Sequence, residues 1–480
     1  MDIMDLASKG IVAITKNFGK KIGKQKTAPA IEKADPVIIK GDKYNVGFSR
    51  EEIMPDLTKG KTYWIAGHGS GHKMEDVKTP VYASAVWIDC GSGEGIVWIG
   101  ADIIGFTGHE VRIVRGMLAD FCKETGCKCI NISCTHSHSG IDTVGYWGKP
   151  NLVSIPSDGK DPDYMDMLMK TMVKVCKQAY ADRKPGKLYS GLKEIEHSQS
   201  NRRMPKHPFN KITRIRFSPD DGSNETWILN FPAHPNSLGG GNRSLSGEYP
   251  YYLREAVKAA CGANVLYGIG AIGAVDMVEF EGEEGFAEIK KQGELLADAA
   301  VSIGDNDTEL APEIKFIQQP FYYPNDNNVL TLLAMRHTFN ADIYPNSVSD
   351  LGLALRSEMT YLELGEKKMV LVPGEMFQQT VYGGYESAEN SATGEGPEIN
   401  PTPLGEIAGD PDLLVFGVTN DFTGYVVAPN DFVLHKTQPY LNKAYDRLDH
   451  DHYHETNSLG IKSQGIIAET FKDMVARLDG

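Results

Sequence analysis

The sequence predicts an α/β fold in which helices pack on mixed β-sheets, and three observations predict it. Period-two apolar segments alternate with a 3.6-residue pattern along most of the chain. Several apolar segments stop at turn-rich sequence that carries a histidine, a glutamate or a tyrosine, as strands do when they hand side chains to a cleft. A chain of 480 residues with 41% hydrophobic and 24% charged side chains can also bury a substantial core. Its length fits two or three average domains or one large one, and composition does not choose between them.

Residues 1–42 read as a helical or flexible N-terminal segment and 43–480 as the body. Ile3, Leu6, Ile11, Ile14, Phe18 and Ile22 fall roughly on one helical stripe, with Lys9, Lys16, Lys20, Lys21 and Lys24 among them. That pattern suits a basic helix in peripheral contact with a membrane. Gly10, Gly19 and Gly23 weaken the helix and favour the alternative, in which it packs on the body or on a partner subunit. The first 30 residues hold no secretory apolar region, and no run of about 18 apolar residues occurs anywhere. Seven cysteines, an odd number set mostly in apolar strand or helix patterns, suit a reducing compartment. The expectation is a cytoplasmic protein, membrane-peripheral where the N-terminal helix binds lipid. A formal net charge of -15 argues against nucleic acid as the main partner, because phosphate binding needs a basic surface. Nothing in the sequence sets an oligomeric state.

Within the body, Gly67-His-Gly-Ser-Gly-His72 lacks the Gly-Lys-Ser/Thr ending of a phosphate loop and reads as a tight or mobile loop, with His68 and His72 as cleft candidates. Residues 83–89 and 95–102 read as a hairpin across Gly91-Ser-Gly-Glu-Gly95. Thr107 and Glu110 have capping-box spacing, and Val111, Val114, Leu118 and Phe121 form the buried stripe of the helix that follows. Ile130, Ile132 and Cys134 then alternate with Asn131 and Ser133 as a strand that runs out into Thr135-His-Ser-His-Ser-Gly140. On an extended backbone His136 and His138 point to the same side. Histidines at a strand end rich in hydroxyls favour a metal or acid/base site over two structural imidazoles. Strand, helix and strand in this order form a crossover unit whose functional groups gather at the carboxyl ends. The expected architecture is therefore a mixed β-sheet catalytic domain with a metal site at its strand ends.

A helix over 163–182 leads to strands near 186–196 and 212–217, with Arg202 and Arg203 in the loop between them, where a guanidinium can hold an oxygen anion. The strand from Thr226 ends in Phe231-Pro-Ala-His-Pro235, which holds His234 in a stiff segment between two prolines. After a helix over 249–261, the apolar strand from Val265 is punctuated by glycine and ends at Asp276. A helix over 283–303 precedes a hairpin of residues 358–364 and 368–372 that stops at Pro373-Gly-Glu375. Residues 387–403 read as a long loop or lid. A strand over 413–418 ends in Thr419-Asn-Asp-Phe-Thr-Gly-Tyr425. The run Asp449-His-Asp-His-Tyr-His-Glu455 reads as a surface or lid segment, since neighbouring histidines in a polar loop form no fixed cage. A helix over 465–478 closes the chain.

Thr135-His-Ser-His-Ser-Gly140 resembles the T-H-T-H-S-G signature of the neutral, non-lysosomal ceramidases. Ala101-Asp-Ile103, Asn201-Arg202, Phe231-Pro-Ala-His-Pro235, Pro373-Gly-Glu375 and the segment ending at Tyr425 follow in that family's order, so the resemblance spans roughly residues 45–460. It implies the N-terminal catalytic domain of a zinc-dependent amidohydrolase acting on an N-acyl, ceramide-like lipid. Nothing follows the closing helix that would form the sandwich domain of larger ceramidases. The implied Zn2+ ligands are His136, His234, Glu375 and Tyr425. His138 and Arg202 are the implied catalytic groups, which orient water or steady the developing oxyanion. The chain departs from the family at Asp276, where the G-D-V-S-P-N turn has serine. A carboxylate there can ligate metal, accept a proton or pair with a cationic substrate group, or it can simply cap the turn. The departure makes an ester or another non-ceramide bond a competing substrate class. A catalytically silent, metal-stabilised binding protein is the third reading.

Overall fold

Alternation sorts the strand residues onto two faces, and those faces build a four-layer molecule. In the strand Tyr82–Asp89, Ala83, Ala85 and Trp87 join one apolar cluster while Val86 and Ile88 join another. The strand Gly95–Ala101 divides in the same way, with Val97 and Ile99 on one side and Ile96 and Trp98 on the other. In Leu353–Leu364, Leu362 and Leu364 face the same inner cluster as Trp98, whereas Met359 and Tyr361 face a third. Two sheets therefore stack face to face over one core, and helices cover both outer faces. The computed structural model describes residues 3–150, 156–204 and 209–480. Residues 1–2 of the N-terminal segment, and Pro205 at the end of the arginine loop, lie outside the described residues.

The larger sheet has the strand order Asn264–Ile269, Thr226–Phe231, Lys211–Pro219, Lys184–Glu194, Tyr44–Glu52, Tyr82–Asp89, Gly95–Ala101 and Cys127–Cys134. The smaller runs from Val37–Lys40 through Glu313–Pro324, Leu353–Leu364 and Lys367–Leu371 to Leu414–Phe416. Most neighbours are antiparallel. Three pairs are parallel: Gly95–Ala101 with Cys127–Cys134, Thr226–Phe231 with Asn264–Ile269, and Lys367–Leu371 with Leu414–Phe416. The fold is thus mixed α/β, as its periodicity implies. Trp98 closes the contact between the sheets: it meets Phe416 edge-on at 4.3 Å and donates its indole N–H to Ser133 Oγ at 2.8 Å.

The stretch 1–42 contains a helix, Ile3–Gln25, and the strand Val37–Lys40, which pairs antiparallel with Glu313–Pro324. The chain is already in the sheet before residue 43, because Ile39 closes one end of the core between the sheets. The helix after Thr107 starts as expected, but its first amide is satisfied by another partner. Gly108 N–H donates to Asp421 Oδ1 at 2.7 Å, and the Thr107 hydroxyl donates to Glu110 instead of accepting from the backbone. No helix among the described residues is long and apolar enough to cross a membrane.

Candidate metal centre

The parallel strands of both sheets end at one place, where backbone hydrogen bonds join them. Cys134 N–H donates to Val418 O at 3.2 Å, Asn420 N–H to Ile132 O at 2.8 Å, and Gly273 N–H to Met376 O at 2.8 Å. Segments carrying His136, His234, Asp276, Glu375 and Tyr425 are thereby gathered from distant parts of the chain.

The histidine strand stops at Cys134, and His136 takes a φ of 59°, a left-handed conformation uncommon for a residue with a Cβ. The extended run expected through His138 is therefore absent. The two rings meet, with centroids 4.8 Å apart, because the backbone turns at His136 and not through a period of two. Gly67 makes room for this turn. Its φ is +107°, and a Cβ there would stand 2.4 Å from Cγ of His138.

His136 Nδ1 lies 2.7 Å from Ile104 O, and His234 Nδ1 lies 2.9 Å from Val275 O. A carbonyl only accepts, so each Nδ1 carries the hydrogen, and in the neutral ring each Nε2 offers a bare lone pair. Both lone pairs face Glu375, whose Oε2 is 2.9 Å from His234 Nε2 and 3.5 Å from His136 Nε2. Three buried acceptors this close repel one another unless positive charge lies among them. Imidazole rings fixed by their far nitrogen in this way are a recurrent feature of metal sites. Burial works against charge on Glu375, yet positive charge shared by the two imidazoles overcomes it and holds the carboxyl well below its usual range. Burial also opposes charge on His234, where the Glu375 carboxylate outweighs it and raises the pKa.

His136, His138 and His234 form a buried group able to hold a metal, their ligand atoms all within 4.8 Å of one another. His138 is the least committed of the three. Neither of its ring nitrogens has a hydrogen-bond partner among the described residues. Burial, reinforced by His136 and His234, pushes its pKa well down, so the ring is neutral. Tyr425 pairs in strand register with Glu375 and puts its ring 6.4 Å from that of His234. Burial, and then the Glu375 carboxylate, raise the Tyr425 phenol well above its ordinary pKa.

Asp276 sits in a short strand, Val275–Met277, pairing with Gln199–Asn201 next to Arg202. Its Oδ1 accepts from Asn236 Nδ2 at 2.8 Å, and its Oδ2 forms an ion pair with Arg202 Nε. Arg202 and Asp276 are therefore brought together as a pair. All seven predicted site residues line one cavity of about 460 Å³. Beyond this cluster the wall is mixed: Val144, Tyr146, Trp147, Phe339, Phe422 and Leu459 give it an apolar, partly aromatic side, and Arg112, Asp342 and Arg356 a charged one.

Neutral ceramidase from Pseudomonas aeruginosa superposes on this chain with a TM-score of 0.66 at 16% identity, over 91% of this chain and 74% of that one. The chain has the neutral ceramidase fold. A ceramidase complexed with C2 matches similarly, with a TM-score of 0.67 at 14% identity, over 91% of this chain and 75% of that one. No family model and no curated protein matches the sequence.

On this ceramidase fold two readings of the polar segments need correction. The loop 387–403 contributes nothing to the cavity wall and so is no lid over the site. The run 449–455 is a surface segment only in part: Asp449, His450, Asp451 and Tyr453 are exposed, but His452, His454 and Glu455 are buried and Tyr453 also lines the cavity. The cause is Arg203, from the arginine loop. It is buried, and its Nη1 and Nη2 donate to Glu455 at 3.1 and 2.7 Å while its Nε pairs with Asp431 at 2.9 Å. A buried guanidinium requires such partners, which draw the segment inward. Tyr453 was missed as a site residue. Its neighbours in sequence are polar, and only the long-range Arg203–Glu455 pair reveals its place against Tyr425, at 6.3 Å between ring centroids.

Proposed function

We propose that the chain is a zinc-dependent amidohydrolase that cleaves the amide of an N-acyl, lipid-like substrate. The observation that carries this reading is the facing of His136 Nε2, His234 Nε2 and Glu375 Oε2, each imidazole fixed by its Nδ1–H on a backbone carbonyl. Two imidazoles, a carboxylate and the phenol of Tyr425 make a nitrogen and oxygen donor set suited to zinc. His136, His234, Glu375 and Tyr425 would hold the ion, which supplies Lewis acidity toward a scissile carbonyl and lowers the pKa of water to about 7.

The chain's own residues supply the remainder. A neutral His138 with both nitrogens free can accept a proton from water at one atom and return it to the leaving nitrogen. Arg202, kept at the cavity wall by Asp276, donates toward a carbonyl oxygen as it gains charge. The aromatic wall excludes water from the acyl chain and orients it. The likeness to two ceramidase structures supports a lipid amide as the substrate class. Seven free cysteines support a cytoplasmic, reducing setting.

A second reading, hydrolysis of an ester or of a non-ceramide amide, is favoured by one observation. Asp276 stands where the resemblance places serine, and it engages Arg202 and Asn236. Turnover of matched N-acyl amides and O-acyl esters, read as released amine or alcohol, separates the two. The amide reading predicts amine release from N-acyl substrates, and turnover confined to esters overturns it. On the second reading Asp276→Ser moves preference toward plain ceramide-like amides.

A further inference from the structure

The N-terminal helix Ile3–Gln25 has two faces of opposite character. Ser8, Thr15 and Ile22, seven residues apart, are buried, and Phe18 and Ile22 pack on Ile343, Leu351 and Leu353. The outward face carries Lys9, Lys16, Lys20, Lys21 and Lys24, all exposed. Leu6 and Ile14 stand among these lysines with relative exposures of 61% and 51%. In a chain of net charge -15, acidic partners are abundant, yet Lys16, Lys20, Lys21 and Lys24 make no ion pair among the described residues. An acidic protein that keeps one concentrated basic face, studded with exposed leucine and isoleucine, has a surface complementary to negative charge with apolar depth behind it.

The helix also lies close to the cavity. Ala334, Ala341 and Leu355 belong both to the apolar cluster beneath it and to the cavity wall. One helix diameter, about 10 Å, separates the basic face from the buried face that packs on that cluster.

We infer that this helix docks the protein on an anionic lipid bilayer, its lysines on the headgroups and Leu6 and Ile14 in the interface, so that the cavity wall behind it is held against the membrane. Lysines near a negative surface each add to binding, and salt screens them. The face is independent of the hydrolytic chemistry, so its test does not need turnover.

The test is cosedimentation of the full chain with vesicles of phosphatidylcholine alone or with about 30% phosphatidylserine, in about 0.1 M and about 0.5 M salt. The expected result is binding to the phosphatidylserine vesicles only, weakened at high salt. The variant Lys16→Glu/Lys20→Glu/Lys21→Glu/Lys24→Glu should lose at least about tenfold in partitioning, with its thermal transition unchanged. Leu6→Ser/Ile14→Ser should weaken binding without altering its salt dependence. A wild-type chain that stays in the supernatant with anionic vesicles at low salt overturns the inference. So does equal binding to both vesicle types, or a fourfold variant that binds like wild type.

Discussion

Four histidine and carboxyl side chains at the strand ends have separable tasks. His136, His234 and Glu375 face one another through acceptor atoms, so His136→Ala, His234→Ala or Glu375→Ala should each remove most of the bound zinc, as metal analysis of the purified variants would show. Tyr425→Phe should be milder, since a phenol is the weakest donor of the four. His138 belongs to the same cluster, but its nitrogens are uncommitted. His138→Ala is expected to keep its zinc and lose about a hundredfold or more in kcat, the scale of a lost general acid or base. Loss of zinc in His138→Ala with retention in Glu375→Ala would reverse the two roles. Behind this cluster Glu248, at a φ of 53°, accepts from Ser139 Oγ at 2.6 Å. Burial, only partly offset by that hydrogen bond, pushes its carboxyl from 4.5 up to about 7. Between those values the folded chain holds a proton that the unfolded chain has released. Its contribution to stability is therefore full below pH 4.5 and is lost as pH rises through about 7, in total about 3 kcal/mol. Glu248→Gln keeps the acceptor and should flatten that part of the pH dependence in urea unfolding. An unchanged slope would show that Glu248 is not its source.

At the scale of elements, the strands and helices were legible because their apolar periods are long and their ends carry punctuation. The hairpin Tyr82–Asp89 with Gly95–Ala101, the helix Pro162–Asp182 and the hairpin ending at Glu375 all lie close to where alternation and glycine place them. That His136, His234, Glu375 and Tyr425 share one cavity was legible because each lies on the chain that leaves an apolar strand. The turn at His136 was not, because nothing in a strand pattern marks a histidine for a left-handed conformation. The burial of His452, His454 and Glu455 was hidden too, since it depends on Arg203, far away in sequence. Stacking of the two sheets likewise rests on contacts no local pattern shows, and Trp98 against Phe416 is the clearest. Trp98→Ala should cost about 3–5 kcal/mol of stability, from lost burial and the cavity left behind. Because the sheets share one core, thermal unfolding should remain a single transition at a lower Tm. Two separated transitions would show that the sheets unfold independently.

For the whole molecule, the fold brings five segments from two sheets to a single cavity with a polar floor and a partly aromatic wall. This convergence gives the ceramidase likeness chemical meaning, because a fold alone does not specify a reaction. We propose that residues 43–480 act as one catalytic domain on this basis. On the function proposed above, a zinc ion held by His136, His234, Glu375 and Tyr425 is required to cleave an N-acyl amide. Amine release by the full chain from an N-acyl substrate, followed before chelation, after chelation and after zinc is restored, tests it most directly. About one zinc per chain, loss of amine release with the metal, and recovery on adding zinc back are expected. Stoichiometric zinc with no amine release, or amine release that survives removal of the metal, would contradict it.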